Sequence, residues 1–193
     1  MKASIPTNNR DGEHVSAWQN IKVADNFKSE ITEAEVCDTL IIGGGITGLT
    51  TALLLQRQGQ RCIIVDGQNL GFGTTGGTTA HLNTFLDASY PEIDSDFGEE
   101  ASRQMAKASK AMIALIKQNI DELGIDADFE YKNGYLYAQN EKETQTLLSI
   151  LDSSKKAGVN VSVARTNNLP NDFQADICFS QRAQLVGEIS VTW

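Results

Sequence analysis

Three consecutive glycines at the end of a short apolar run constrain this chain more than any other feature. Thr39 to Ile42 is apolar and β-branched, the pattern of a buried parallel strand, and it stops at Gly43-Gly44-Gly45. Gly43, Gly45 and Gly48 fall on the G-x-G-x-x-G spacing, and Ala52 adds a small residue where a helix must sit close to a sheet. Gly43 allows the sharp turn out of the strand. Gly45 lets backbone approach a diphosphate because no Cβ intervenes, and Gly48 brings helix and strand together. The helix expected from Ile46 to about Gln58 aims its unpaired N–H groups and positive dipole end at that diphosphate. A second strand, Arg61 to Val65, ends in Asp66, about twenty residues beyond the glycines, where a carboxylate can accept ribose hydroxyls. Strand, tight turn, helix, strand and acid in this order predict a nucleotide-binding β-α-β unit.

After Asp66 comes a second glycine- and threonine-rich stretch, Gly71 to Ala80, rich in backbone donors and hydroxyls. A plain NAD domain places a crossover helix here, whereas this loop is suited to lining a long, phosphate-containing cofactor. His81 follows, without a carboxylate or cysteine partner nearby in sequence, and is read as a packed or solvent-facing residue.

From Ile93 to Leu123, Phe97, Ala101, Met105, Ala108, Met112, Ile116, Ile120 and Leu123 recur at spacings of three and four. That periodicity predicts a long amphipathic helix, broken near Gly98 and stopped by Gly124, with its methionines as core filler. Phe129 to Tyr131 and Tyr135 to Tyr137 flank Lys132-Asn133-Gly134, which predicts a hairpin turn, since Asn-Gly accepts positive φ. Glu141 to Ala157 is a further helix with Leu147, Leu148, Ile150 and Leu151 on its apolar side, closed by Gly158. Val159 to Val163 alternates as a strand, and a turn is expected around Pro170 between Asn167 and Asp172. The segment before Glu35 is polar and reads as a loop-rich arm anchored by Trp18 and Phe27.

The chain carries a net charge of −9 with no basic cluster, which argues against a nucleic-acid or anionic-membrane partner. Cys37, Cys62 and Cys178 are too few and too widely spaced for a disulfide frame or a metal site, and read as reduced thiols of a cytoplasmic protein. No apolar run is long enough to span a membrane, and the N-terminus offers no apolar export segment.

The glycine turn G-G-G-I-T-G-L-T-T-A, the Asp66 acid, the run G-T-T-G-G-T-T-A-H from Gly73 to His81 and the Tyr131 to Tyr137 region resemble the D-amino-acid-oxidase-like (DAO) FAD-dependent oxidoreductases. The similarity is greatest to the bacterial branch whose intact members carry a C-terminal Rieske domain. It runs from about Asp11 to Gln184. The resemblance implies FAD as cofactor, with Gly43, Gly44, Gly45, Ile46, Thr47 and Gly48 at its pyrophosphate and Asp66 at the adenosine ribose. It places Thr74, Thr75, Gly76, Thr78, Thr79 and Ala80 at the pyrophosphate and ribityl side. It further implies a small amine or amino acid as substrate, oxidised by hydride transfer to flavin; no catalytic residue is assigned.

The expected fold is α/β, α+β overall. An arm spans residues 1–36, the N-terminal part of an FAD domain with the long helix spans 37–125, and part of an antiparallel substrate domain spans 126–184. Related proteins have His where this chain has Gly77. Past Gln184 a histidine–proline step and another helix are expected, but residues 185–193 depart from the pattern and read as a truncation or frameshifted tail; no Rieske cysteine–histidine pairs occur. An NAD-dependent dehydrogenase and a non-catalytic dinucleotide-binding fragment remain as alternatives.

Overall fold

A computed structural model describes residues 36–78, 81–164 and 174–185. The expected arm through Glu35, Thr79, Ala80, the turn around Pro170 and the tail beyond Leu185 lie outside the described residues. The chain divides between Thr79 and Ala80 into two compact units.

In the first unit, β1 (Thr39–Ile42), α1 (Ile46–Gln56) and β2 (Cys62–Val65) follow one another, and β1 and β2 pair in parallel with Thr39 opposite Cys62 and Ile42 opposite Val65. The pairing extends beyond the strands, since the Gly43 amide donates to the Val65 carbonyl at 2.8 Å. Ala52 and Leu53 are the buried residues of α1. The expectation of a buried strand is corrected: Leu40 and Ile42 of β1 are exposed, Ile42 to 84%. A parallel strand is covered on both sides only when helices flank the sheet twice, and the described residues of this unit contain one helix.

The second unit contains β3 (His81–Leu82), α2 (Tyr90–Phe97), α3 (Glu99–Leu123), β4 (Phe129–Ala138), α4 (Glu141–Lys156), β5 (Val161–Val163) and β6 (Ala175–Leu185). The long helix lies in the same compact unit as the antiparallel sheet. Its break is at Gly98, φ 86°, and its stop at Gly124, φ 63°. Positive φ at these two positions is what glycine accommodates without strain. Ser89 and Glu92 form a reciprocal capping box at the start of α2, followed by Pro91 in the first turn, and Asn140 caps α4 by accepting from the Glu143 amide at 3.0 Å.

The face of α3 that packs is not the one its methionines mark. Ser102, Ala106, Ser109 and Ile113 are buried, whereas Met105, Met112 and Leu123 are exposed. Small residues allow close helix packing, and Ser102 donates to the Tyr90 carbonyl of α2 at 3.5 Å. On α4, Leu147, Ile150 and Leu151 are buried as expected and Leu148 is not.

The expected hairpin is also corrected. β4 runs straight through Asn133-Gly134 and pairs along its length with β6, from Phe129 opposite Leu185 to Ala138 opposite Ala175. The register shifts between Lys132 and Gly134, where β6 contains Gln181 at φ 61°. This is a bulge, with an extra residue in β6, not a chain reversal. On its other edge, β6 pairs first with β5 and then with β3. Tyr90, Ile93, Leu147, Ile150, Ile177 and Phe179 join helices and sheet into one core.

Candidate functional site

At Gly44 and Gly48 the glycine turn derives its shape from contacts that leave no room for a side chain. A Cβ on Gly48 would lie 2.0 Å from the Gly43 carbonyl oxygen, backbone against backbone, so α1 can start this close to β1 only with glycine there. Gly43 itself has φ 109°. A Cβ on Gly44 would lie 2.4 Å from Leu70 Cδ2 and 3.3 Å from Asp66 Oδ2, because the segment after β2 folds back over the turn. The Gly71 amide donates to the Gly44 carbonyl at 2.9 Å and fixes that fold-back.

Asp66 is exposed and carries two backbone contacts: Oδ2 accepts from the Gly44 amide at 2.6 Å and Oδ1 from the Gln68 amide at 2.7 Å. The second is an Asx turn, a local signal that Asp-Gly-Gln carries in sequence and that was not drawn from it. A carboxylate offers about four acceptor positions, so each oxygen retains one beyond these bonds. The two contacts orient the acid toward the glycine turn.

The N-terminus of α1 has Gly45 at its cap and no acidic residue in its first turn. The Ile46 amide donates to Thr75 Oγ1 at 3.0 Å, so a hydroxyl 29 residues further along the chain sits on the helix end. A Cβ on Gly45 would lie 3.1 Å from that same oxygen. Gly44, Gly45, Ile46, Asp66 and Thr75 are therefore brought together. Thr74 and Thr78 are exposed in the same loop and Gly76 is buried, its amide and that of Gly77 donating to the Gly73 carbonyl. Thr47 is exposed, and its carbonyl accepts from Thr51 Oγ1 at 2.8 Å. Leu70 and Gly71, which hold the fold-back, were not singled out from the sequence.

Chemically this is a helix N-terminus with hydroxyl and amide donors, a side-chain-free turn and one oriented carboxylate. Such a donor set fits a dinucleotide, its diphosphate at the positive helix end and a ribose at the acid. His81 lies on β3 opposite Gln184 and is exposed, in line with its reading as a solvent-facing residue. The three cysteines are free thiols.

A family model described as FAD dependent oxidoreductase (DAO) matches residues 38–180. A Bacillus subtilis (strain 168) protein named as a Rieske 2Fe-2S iron–sulfur protein, YhfW, is 31% identical over 86% of this chain and 33% of its own length. Gamma-glutamylputrescine oxidoreductase of Escherichia coli (strain K12) is 27% identical over 61% of this chain and 27% of its own. The chain thus spans about a third or less of these curated relatives. Among solved structures, L-amino acid deaminase from Proteus myxofaciens is similar in fold at a TM-score of 0.61, with 16% identity, over 81% of this chain and 35% of that one. Glycine oxidase from Geobacillus kaustophilus gives 0.57, with 19% identity, over 77% and 40%.

Proposed function

The chain belongs to the DAO family of FAD-dependent oxidoreductases, and from that premise we propose that its first unit holds the ADP half of FAD in a protein that oxidises a small amine or amino acid. The observation that carries the cofactor reading is the convergence of Asp66 and Thr75 on the glycine turn at the start of α1. In this reading the α1 N-terminus and the Gly45 backbone face the pyrophosphate, Asp66 accepts from the adenosine ribose, and the loop Thr74 to Ala80 lies along the pyrophosphate and ribityl side. Gly43, Gly44, Ile46, Thr47 and Gly48 complete the turn.

When bound, FAD supplies the hydride acceptor for oxidation of a carbon bearing an amine. The chain's own part is binding and orientation. The helix end neutralises diphosphate charge, the glycines permit backbone approach, and Asp66, held by two amides, presents its remaining acceptor positions without reorganisation. Support for the substrate class comes from the family and from a relative named for gamma-glutamylputrescine. We place the protein in the cytoplasm on the strength of its free thiols, and its net charge of −9 speaks against a nucleic-acid partner. Among the described residues no helix is long and apolar enough to cross a membrane.

The direct test is titration of the purified full chain with FAD, followed by quenching of flavin fluorescence, alongside NAD. Saturable quenching that is abolished by Gly45→Val is the expected result. Binding of NAD with no response to FAD would overturn the cofactor reading.

A further inference from the structure

On the antiparallel sheet of the second unit, Lys132 of β4 and Arg182 of β6 stand directly opposite one another in register. Directly paired residues share a face, so two cations are juxtaposed in a chain whose net charge is −9. The bulge at Gln181 keeps Arg182 on the same face as Phe179 and Gly134, although the spacing from Phe179 is odd. Like charges facing each other across a sheet are unfavourable unless something offsets them. For Lys132 the offset is the Glu130 carboxylate, two residues back on the same strand.

Among the described residues, the offset for Arg182 is not a carboxylate. Its Nε donates to Asn83 Oδ1 at 2.8 Å and its Nη2 donates to the same oxygen, so a neutral amide takes both bonds. Among the described residues Arg182 has no acidic partner. The guanidinium is half-buried and lies over Gly134, whose missing side chain makes the space: a Cβ there would come within 1.5 Å of Nη1. Burial lowers the pKa of Arg182 from its ordinary value, the direction expected of a charge that has lost water. The group is thus positioned by Asn83, given space by Gly134 and left with Nη1 donors outside the Asn83 contact.

We propose that Arg182, held by Asn83 and flanked by Lys132, is a binding site for the carboxylate of a small organic acid. A planar carboxylate matches the guanidinium fork in two parallel hydrogen bonds, supplies a counter-charge that the described residues do not, and relieves the cross-strand repulsion. Glu130 limits the site to a monoanion of small size, because its own charge disfavours a second negative group close by. The site stands apart from the cofactor reading, and loss of either leaves the other intact.

The test is a titration of the ¹⁵N-labelled full chain with sodium acetate, followed by ¹H–¹⁵N spectra that include the arginine Nε–H signals, against sodium chloride at equal ionic strength and against inorganic phosphate. The expected result is saturable movement of the Arg182 Nε–H and Gly134 amide signals with acetate and no saturation with chloride. Arg182→Gln should abolish it, and Arg182→Lys should weaken it at least about tenfold because the fork is lost while the charge stays. Asn83→Asp should block it by supplying an internal carboxylate. Should the glutamine variant not fold, the lysine and aspartate variants decide. A glycine titration tighter than acetate assigns an amino acid as the source, and the reverse order a simple organic acid. Equal response to chloride and acetate, binding of phosphate alone, or unchanged acetate affinity in Arg182→Lys and Asn83→Asp would overturn the proposal.

Discussion

Asp66 Oδ2 accepts from the Gly44 amide at 2.6 Å, tying the end of β2 to the turn that leaves β1. The other oxygen holds the Gln68 amide at 2.7 Å, so the acid organises the backbone on both sides of the nucleotide-type turn. Asp66→Asn keeps one acceptor but turns an amide donor toward an N–H. The expected cost is about 1.5–3 kcal/mol, the range for a hydrogen bond to a charged group. A lower urea midpoint at unchanged slope would register it; an unchanged midpoint would mean that the two bonds contribute nothing net.

Gly45 and Gly48 should separate affinity from folding. At Gly48 a Cβ would meet the Gly43 carbonyl oxygen at 2.0 Å, and neither atom is free to rotate away. Gly48→Ala should therefore lose roughly 3 kcal/mol or more as an overpacked contact. At Gly45 the neighbour is Thr75 Oγ1 at 3.1 Å, which needs only a small shift. Gly45→Ala should keep the wild-type unfolding midpoint within about 1 kcal/mol and weaken FAD binding. Equal midpoints for the two variants would refute the distinction.

These glycines were legible because their requirement is local: strand, turn and helix follow within a few residues, and the change from period two to period 3.6 marks the turn. The partners that close the turn were less so. A threonine-rich loop was visible, but that Thr75 rather than Thr74 or Thr78 caps α1 depends on a fold-back 29 residues long. The Asn133-Gly134 pair misled for a related reason. Its glycine serves Arg182, 48 positions later, and no local pattern distinguishes that need from a turn. On α3 the apolar stripe through Met105 and Met112 outranked the small residues Ser102, Ala106 and Ser109, which close packing selects. Hydropathy measures preference for leaving water, not the distance at which two helices can meet.

Tyr90 is fully buried, and its hydroxyl donates to the Thr84 carbonyl at 2.8 Å. Burial pushes its pKa up from 10.0 to about 12. The folded state therefore holds the phenolic proton more tightly than the unfolded state, so this contribution is fully present below pH 10 and is lost as pH rises toward 12. Tyr90→Phe should cost about 1–2 kcal/mol at neutral pH by leaving a buried carbonyl without its donor. It should also flatten the fall in stability between pH 10 and 12. Parallel pH profiles for wild type and variant would show that Tyr90 does not titrate with unfolding.

Gly134 and Arg182 should be energetically coupled. In Gly134→Ala the new Cβ would lie 1.5 Å from Nη1, 2.4 Å from Cζ and 2.6 Å from Cδ of Arg182, so the guanidinium must move and lose its bonds to Asn83. The obstructing atoms belong to a long side chain that can swing aside, which limits the cost to about 1–3 kcal/mol. Arg182→Ala alone leaves Asn83 without its donors and costs about 1 kcal/mol. In the double variant the Cβ enters space that Arg182 has vacated, and alanine restricts the unfolded chain more than glycine does, so the second substitution should add almost nothing. A double-mutant cycle by urea unfolding should give a coupling of at least about 1 kcal/mol, well above the additivity error of distant sites. Strict additivity would mean that Gly134 is required by the backbone of the bulge itself, and that the overlap with Arg182 is incidental.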